Sequence, residues 1–182
     1  MFTRFAILAV VQVILMLFQF CFSFLIALSV TKEGHLRFFP SLFEPTDSLA
    51  IGDRAYWDNE MSYCMDWPLW IRNYWLALNW GMRNPAYGFS DIAAVTLKYA
   101  HDFTSFGDPS VDVGIITTPG AVYRTIINGD GKKYFEYRFV RINSAKSAFY
   151  IQLGWSISTI DRSNGTKCHL CVYIRPFAAI GG

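Results

Sequence analysis

No charged side chain occurs between Phe5 and Val30, and this run constrains the chain more than any other feature. As a helix rising ~1.5 Å per residue it spans roughly 39 Å, more than the ~30 Å hydrocarbon core of a bilayer. A core helix of a soluble domain is rarely this long or apolar on every face. Arg4 flanks the run on one side, and Lys32, Glu33, His35 and Arg37 flank it on the other. The segment is therefore expected to be a transmembrane anchor. Its main rival is a cleaved signal peptide, with Ala27 and Ser29 small enough for cleavage. Against that rival, the apolar core of a signal peptide usually runs only about 7–15 residues. Lysine and arginine are too evenly split between the two ends to set an orientation.

The run has internal texture. Ala9, Gln12, Met16, Gln19, Ser23 and Ala27 are spaced by three and four, so a helix places them on one stripe. Amides in hydrocarbon need partners, and small residues let helices approach. A second copy of the chain, meeting Gln12, Met16, Gln19 and Ser23, is one candidate partner. The bilayer is another.

The rest of the chain is long enough for one domain among its 182 residues. Aromatic residues make up 18% of the chain, enough for a dense core without disulfides. Residues 32–66 form an irregular acidic connector, broken by Pro40, Pro45 and Gly52. Between Glu44 and Asp66 the acids Asp47, Asp53, Asp58 and Glu60 face a single base, Arg54. Residues 67–182 form an α+β domain. Asp66-Trp67-Pro68 signals a helix start, with Asp66 as cap and Pro68 in the first turn. That aromatic helix is expected to end near Arg83, because Asn84 precedes Pro85. A second, weaker helix is expected from Ser90 to about His101. Residues 102–120 suggest loop with a short strand at 111–116.

Two hairpin signals, Asn128-Gly129-Asp130-Gly131 and Asn164-Gly165, divide four strands near 121–128, 132–142, 147–160 and 166–175. Phe149, Ile151, Leu153, Trp155 and Ile157 alternate with Tyr150, Gln152, Gly154, Ser156 and Ser158. The alternation predicts an antiparallel four-stranded meander with one buried and one wet face. The first set is expected to face the core, under cover of the aromatic helix. On the wet face, Arg138, His169, Tyr173 and Arg175 are candidate interaction residues.

Chemical signals are sparse. Cys168-His169-Leu170-Cys171 offers half of a metal site, but residues three apart on a strand face opposite ways. Cys168 is expected in the core and Cys171 on the wet face, with no metal held. No Gly-x-Ser-x-Gly elbow, Walker loop or Gly-x-Gly-x-x-Gly is present. Acid pairs such as Asp108 with Asp112, or Asp58 with Glu60, are too common to signal acid–base catalysis. Asn164-Gly165-Thr166 matches a glycosylation sequon, which the hairpin turn already explains. Nine bases spread over the last third do not make a nucleic-acid groove, and the anchor argues against one. No enzyme and no cofactor are expected.

The order of landmarks is distinctive. Leu42-Phe43-Glu44-Pro45-Thr46-Asp47 and Gly52-Asp53 follow the hydrophobic segment. Next comes an aromatic helix ending in Arg83-Asn84-Pro85-Ala86-Tyr87-Gly88-Phe89, then Gly154-Trp155 and Ile174-Arg175-Pro176-Phe177. This pattern resembles a family of uncharacterised small proteins encoded by tailed bacteriophages. The resemblance implies a phage and bacterial-host context and no activity. Arg83, Asn84, Pro85 and Tyr87 then become candidate interaction residues at the motif's corner. The expectation is a non-enzymatic accessory protein crossing the host inner membrane once and displaying a small domain to a host or phage protein. The alternative is a virion or assembly component whose hydrophobic N-terminus is buried against other subunits.

Overall fold

The computed structural model describes residues 1–44, 61–108, 111, 118–157 and 163–180. Two compact units emerge. One comprises Val10–Ile92, the other Met1–Ala9 with Ala93–Gly182. These limits differ from a division into anchor, connector and domain at residues 31 and 66. The aromatic helix falls in the same unit as most of the N-terminal helix.

The N-terminal helix α1 runs from Phe2 to Leu28. Within the Val10–Ile92 unit it is followed by the short helix α2, Pro40–Phe43, a 3-10 turn at Ser62–Cys64, helix α3, Leu69–Arg83, and helix α4, Tyr87–Ile92. Ile26, Ala27, Leu36, Phe43, Met61, Cys64, Leu76, Ala77 and Trp80 form one buried cluster. Within this unit α3 contributes Leu76, Ala77 and Trp80 to a core shared with α1 and α2. Asp66 does not cap α3. Pro68 takes the capping position in extended conformation, without a side-chain hydrogen bond, and Arg72 N–H closes the first turn on its carbonyl at 3.0 Å. Residues 45–60, with most of the acidic connector, lie outside the described residues.

In the other unit, five antiparallel strands follow one another in the order β2-β3-β4-β5-β7. They are β2, His101–Gly107, β3, Gly120–Ile127, β4, Lys133–Ser144, β5, Ser147–Trp155, and β7, Leu170–Ala179. A two-residue pair, β1, Val95–Thr96, with β6, Lys167–Cys168, stands beside them. Both hairpin signals are turns as expected. The edge strand β2 was expected to be loop, since Gly107 and Pro109 obscure its short alternation. The strand expected at 111–116 lies, but for Val111, outside the described residues.

The helix expected over residues 90–101 ends at Ile92. Tertiary partners draw the following segment into extended form. Leu97 N–H donates to Thr166 O at 2.8 Å, and Gly165 and Gly129 donate to Leu97 O and Lys98 O at 2.7 Å. Asn128 Oδ1 accepts Lys98 N–H at 2.7 Å. Both Asn-Gly turns therefore grip the same stretch, Val95–Tyr99, which local propensity alone would leave helical.

The sheet's two faces carry the residues that alternation assigned to them, but with the burial reversed in part. Arg124 stands opposite Glu136, and Glu136 opposite Gly154, in register across three strands. This supposedly wet face holds buried Val122, Arg124, Ile126, Glu136, Arg138, Val140, Ala148, Gln152 and Cys171. On the opposite face Phe135, Trp155 and Leu170 are buried, whereas Phe149, Ile151 and Leu153 are only half-buried and Ile174 is exposed.

Candidate functional site

The polar stripe of α1 points inward. Gln12 and Gln19 retain 1% and 2% of their surface, while Ile14 and Leu17 on other faces keep 59% and 60%. Gln19 Oε1 accepts the backbone N–H of Ala86 at 2.5 Å. Ser23 Oγ donates to Met82 Sδ at 3.1 Å. Asn73 Nδ2 on α3 donates to the carbonyls of Thr31 and Lys32 at 3.1 and 2.9 Å, just past the end of α1. These contacts set α1 and α3 antiparallel. Gly81 faces the Gln19 amide: a Cβ there would lie 2.7 Å from Gln19 Nε2 and would make that side chain shift. Gln19 and Ser23 are thus engaged within the chain, Gln12 is buried with no hydrogen-bond partner for its Oε1 among the described residues, and Met16 is half-buried.

The Arg83–Phe89 motif forms the corner that receives Gln19. Asn84 N–H ends α3 on Trp80 O at 2.8 Å. Ala86 takes a left-handed conformation, φ 55°, which turns its N–H toward Gln19. Tyr87 packs edge-on against Trp80 at 5.5 Å. A Cβ on Gly88 would come within 2.6 Å of Ser41 O, so only glycine lets α4 settle on α2. Arg83 is exposed and Pro85 half-buried. The corner is chiefly a packing device. Glu44, from the neighbouring Leu-Phe-Glu landmark, is also tied inward, accepting Leu36 N–H at 2.7 Å and meeting His35 Nδ1 at 2.5 Å.

The sheet buries a charged network that alternation could not anticipate. Glu136 and Arg124 have no exposed side-chain surface. Glu136 accepts from Arg124 Nη1 at 3.1 Å, Arg138 Nε at 2.7 Å and Gln152 Nε2 at 2.7 Å. Tyr150 O–H donates to Gln152 Oε1 at 2.7 Å. Burial alone would lower the Arg138 pKa, yet the Glu136 carboxylate beside it holds it above the usual value. Burial pushes the Tyr150 hydroxyl up to about 12.

Arg138 is therefore not an outward grip. His169 is half-buried, its N–H donating to Ser156 Oγ at 3.0 Å. Tyr173 is half-buried, and the exposed Arg175 lays its guanidinium over the Tyr173 ring at 5.0 Å. Of the four residues expected on an outer face, only Tyr173 and Arg175 make an accessible pair. Cys171 is buried, contrary to expectation, and burial followed by the Glu136 charge pushes its thiol up to about 12. Cys168 is buried on the other side of the sheet switch at His169, where it pairs with Val95. Among the described residues, no three His, Cys, Asp or Glu side chains converge as a metal site would require.

Comparison with curated proteins and with solved structures returns no match. A family model does match, over residues 1–181, helix α1 included. By that match the chain belongs to the family of unknown function DUF7338.

Proposed function

We propose that this protein is a non-enzymatic, phage-encoded membrane accessory protein. It holds itself in the host bilayer through α1 and presents its β-sheet unit to a host or phage protein. One observation carries the membrane part. Gln12, Gln19 and Ser23 of α1 are buried, while most of its large aliphatic and aromatic side chains stay exposed. A surface helix in water shows the opposite arrangement, and a helix in lipid shows this one. The helix is also long and apolar enough to cross, although a signal sequence or a soluble core helix can meet the same description.

The sheet unit argues against a cleaved leader. Phe2 and Phe5 pack on Phe135 at 4.9 and 5.0 Å, and Phe5 packs on Trp155 at 5.9 Å. Cleavage would strip these rings from the sheet. The same contacts bear on topology. Were α1 alone to cross once, Phe2 and Phe5 would stand on the far side of the bilayer from the rings they touch. In this proposal Met1 and the sheet share one face of the membrane. The phage context rests on the resemblance of the Arg83–Phe89 and Leu42–Asp47 stretches.

Alkaline carbonate washing of membranes from bacteria expressing the full chain tests the proposal. The intact chain should stay in the pellet. Intact chain in the supernatant would overturn the membrane assignment, and a shortened N-terminus would show a leader instead.

A further inference from the structure

We propose that the basic depression at the start of α1 binds the headgroup of an anionic phospholipid; this rests on the membrane assignment above. The depression has a volume of about 510 Å³ and is lined in part by Arg4, Thr96, Lys98, Tyr99, Asn128 and Tyr134. A smaller hollow of about 190 Å³ shares Arg4 and Tyr134 and adds Lys132, Lys133 and Trp155. All of these residues belong to the sheet unit.

The charge here is unbalanced. Asp130 also lines the larger depression, where it is paired with Lys132 at 2.8 Å. Arg4, Lys98 and Lys133 have no acidic partner among the described residues. Arg4 is nevertheless held in place. Its Nη1 donates to Tyr134 Oη at 3.0 Å, and its guanidinium lies over the Tyr134 and Trp155 rings at 5.4 and 5.7 Å. This leaves most of the guanidinium fork unspent, in a fixed orientation, with two lysines near it. A guanidinium so placed suits a phosphate, which it can bind through parallel hydrogen bonds.

The walls are also built rather than incidental. Asn128 and Gly129 clamp Lys98 by its backbone, so the Asn-Gly turn and the Val95–Tyr99 stretch form one rigid rim. Position selects the ligand's source. Arg4 directly precedes Phe5, where the charge-free run begins. If the run enters hydrocarbon at Val10, where α1 leaves the sheet unit, Arg4 lies roughly 9 Å outside it along the helix, at headgroup level, where arginine and aromatic residues commonly anchor a helix. A lipid phosphate is delivered to that level by the bilayer itself, whereas free phosphate is not.

The test uses the full chain reconstituted into phosphatidylcholine vesicles that contain traces of spin-labelled phosphatidylglycerol or spin-labelled phosphatidylcholine. Electron spin resonance then reads the relative association of the two lipids with the protein. Phosphatidylglycerol should associate at least about fivefold more strongly, the factor that ~1 kcal/mol from a basic residue near the surface would give. The preference should fall toward unity in Arg4→Gln, and independently in Lys98→Gln/Lys133→Gln, whose exposed side chains can change without disturbing the core. Equal association of both lipids with the unaltered chain would overturn the proposal. So would a preference that survives these substitutions, or one that excess inorganic phosphate abolishes. Lipid that is restricted without headgroup preference leaves the membrane assignment standing while the headgroup site falls. No restricted lipid of either kind would remove both.

Discussion

Gln19 in the middle of α1 accepts the backbone N–H of Ala86, a residue 67 positions later in the chain. A glutamine in an otherwise apolar helix thereby satisfies a donor that a left-handed turn has left without an intrahelical partner. The Arg83–Phe89 stretch and the apolar helix are two halves of one device.

Gln19→Leu should destabilise the Val10–Ile92 unit by about 1–3 kcal/mol, because the Ala86 N–H would stay buried without an acceptor. Thermal unfolding in a mild detergent, followed by circular dichroism, measures this. An unchanged midpoint would mean that Ala86 finds its acceptor elsewhere.

Glu136→Gln should cost more, about 3–5 kcal/mol, the usual effect of breaking a buried ion pair from one side. Both Arg124 and Arg138 would lose the carboxylate they share. Chemical denaturation reads the difference. A loss below ~1 kcal/mol would show that the arginines do not depend on Glu136.

Trp155→Ala should destabilise the sheet unit by about 3–5 kcal/mol. Trp155 is 1% exposed, and its indole N–H donates to Ala93 O at 3.1 Å. Its ring also meets Tyr134 edge-on at 5.0 Å. Truncation leaves a cavity and an orphan carbonyl together. A melt indistinguishable from the parent would place this ring outside the core.

Alkaline pH should weaken the sheet unit. Burial raises Cys171 from 9.0 to about 12 and Tyr150 from 10.0 to about 12. Between about pH 9 and pH 12 the unfolded chain releases these protons and the folded chain keeps them. The stability present below pH 9 is therefore lost progressively as pH rises through that window. Cys171→Ala should flatten the decline. At neutral pH both Cys168 and Cys171 should react slowly with thiol reagents until the protein unfolds. Fast native labelling of Cys171 would contradict its burial.

Several elements were legible in the chain because their causes are local. The apolar length of α1, the proline that follows α3 and the two Asn-Gly turns each depend on a few adjacent residues. So does the alternation along β3, β4, β5 and β7. The stripe containing Gln12, Gln19 and Ser23 was visible as well, since helical spacing puts those residues on one face whatever lies opposite. Its partner was not visible, because the donor that Gln19 accepts comes from a corner more than sixty residues away.

Tertiary structure alone decided which side of the sheet is buried. Alternation distinguishes two faces but does not assign their burial, and hydrophobicity favoured the set containing Ile151 and Leu153. Glu136 changes that balance by pairing at once with Arg124, Arg138 and Gln152, so the polar face can be desolvated without leaving those charges alone. The fate of Val95–Tyr99 was decided in the same way. Its residues accept a helix as readily as a strand, and the backbone hydrogen bonds offered by two distant turns draw it into extended form. Sequence thus determined what each segment can be, through sterics and periodicity. The fold determined which of those states was taken, because the groups that satisfy buried hydrogen bonds and charges come from far along the chain.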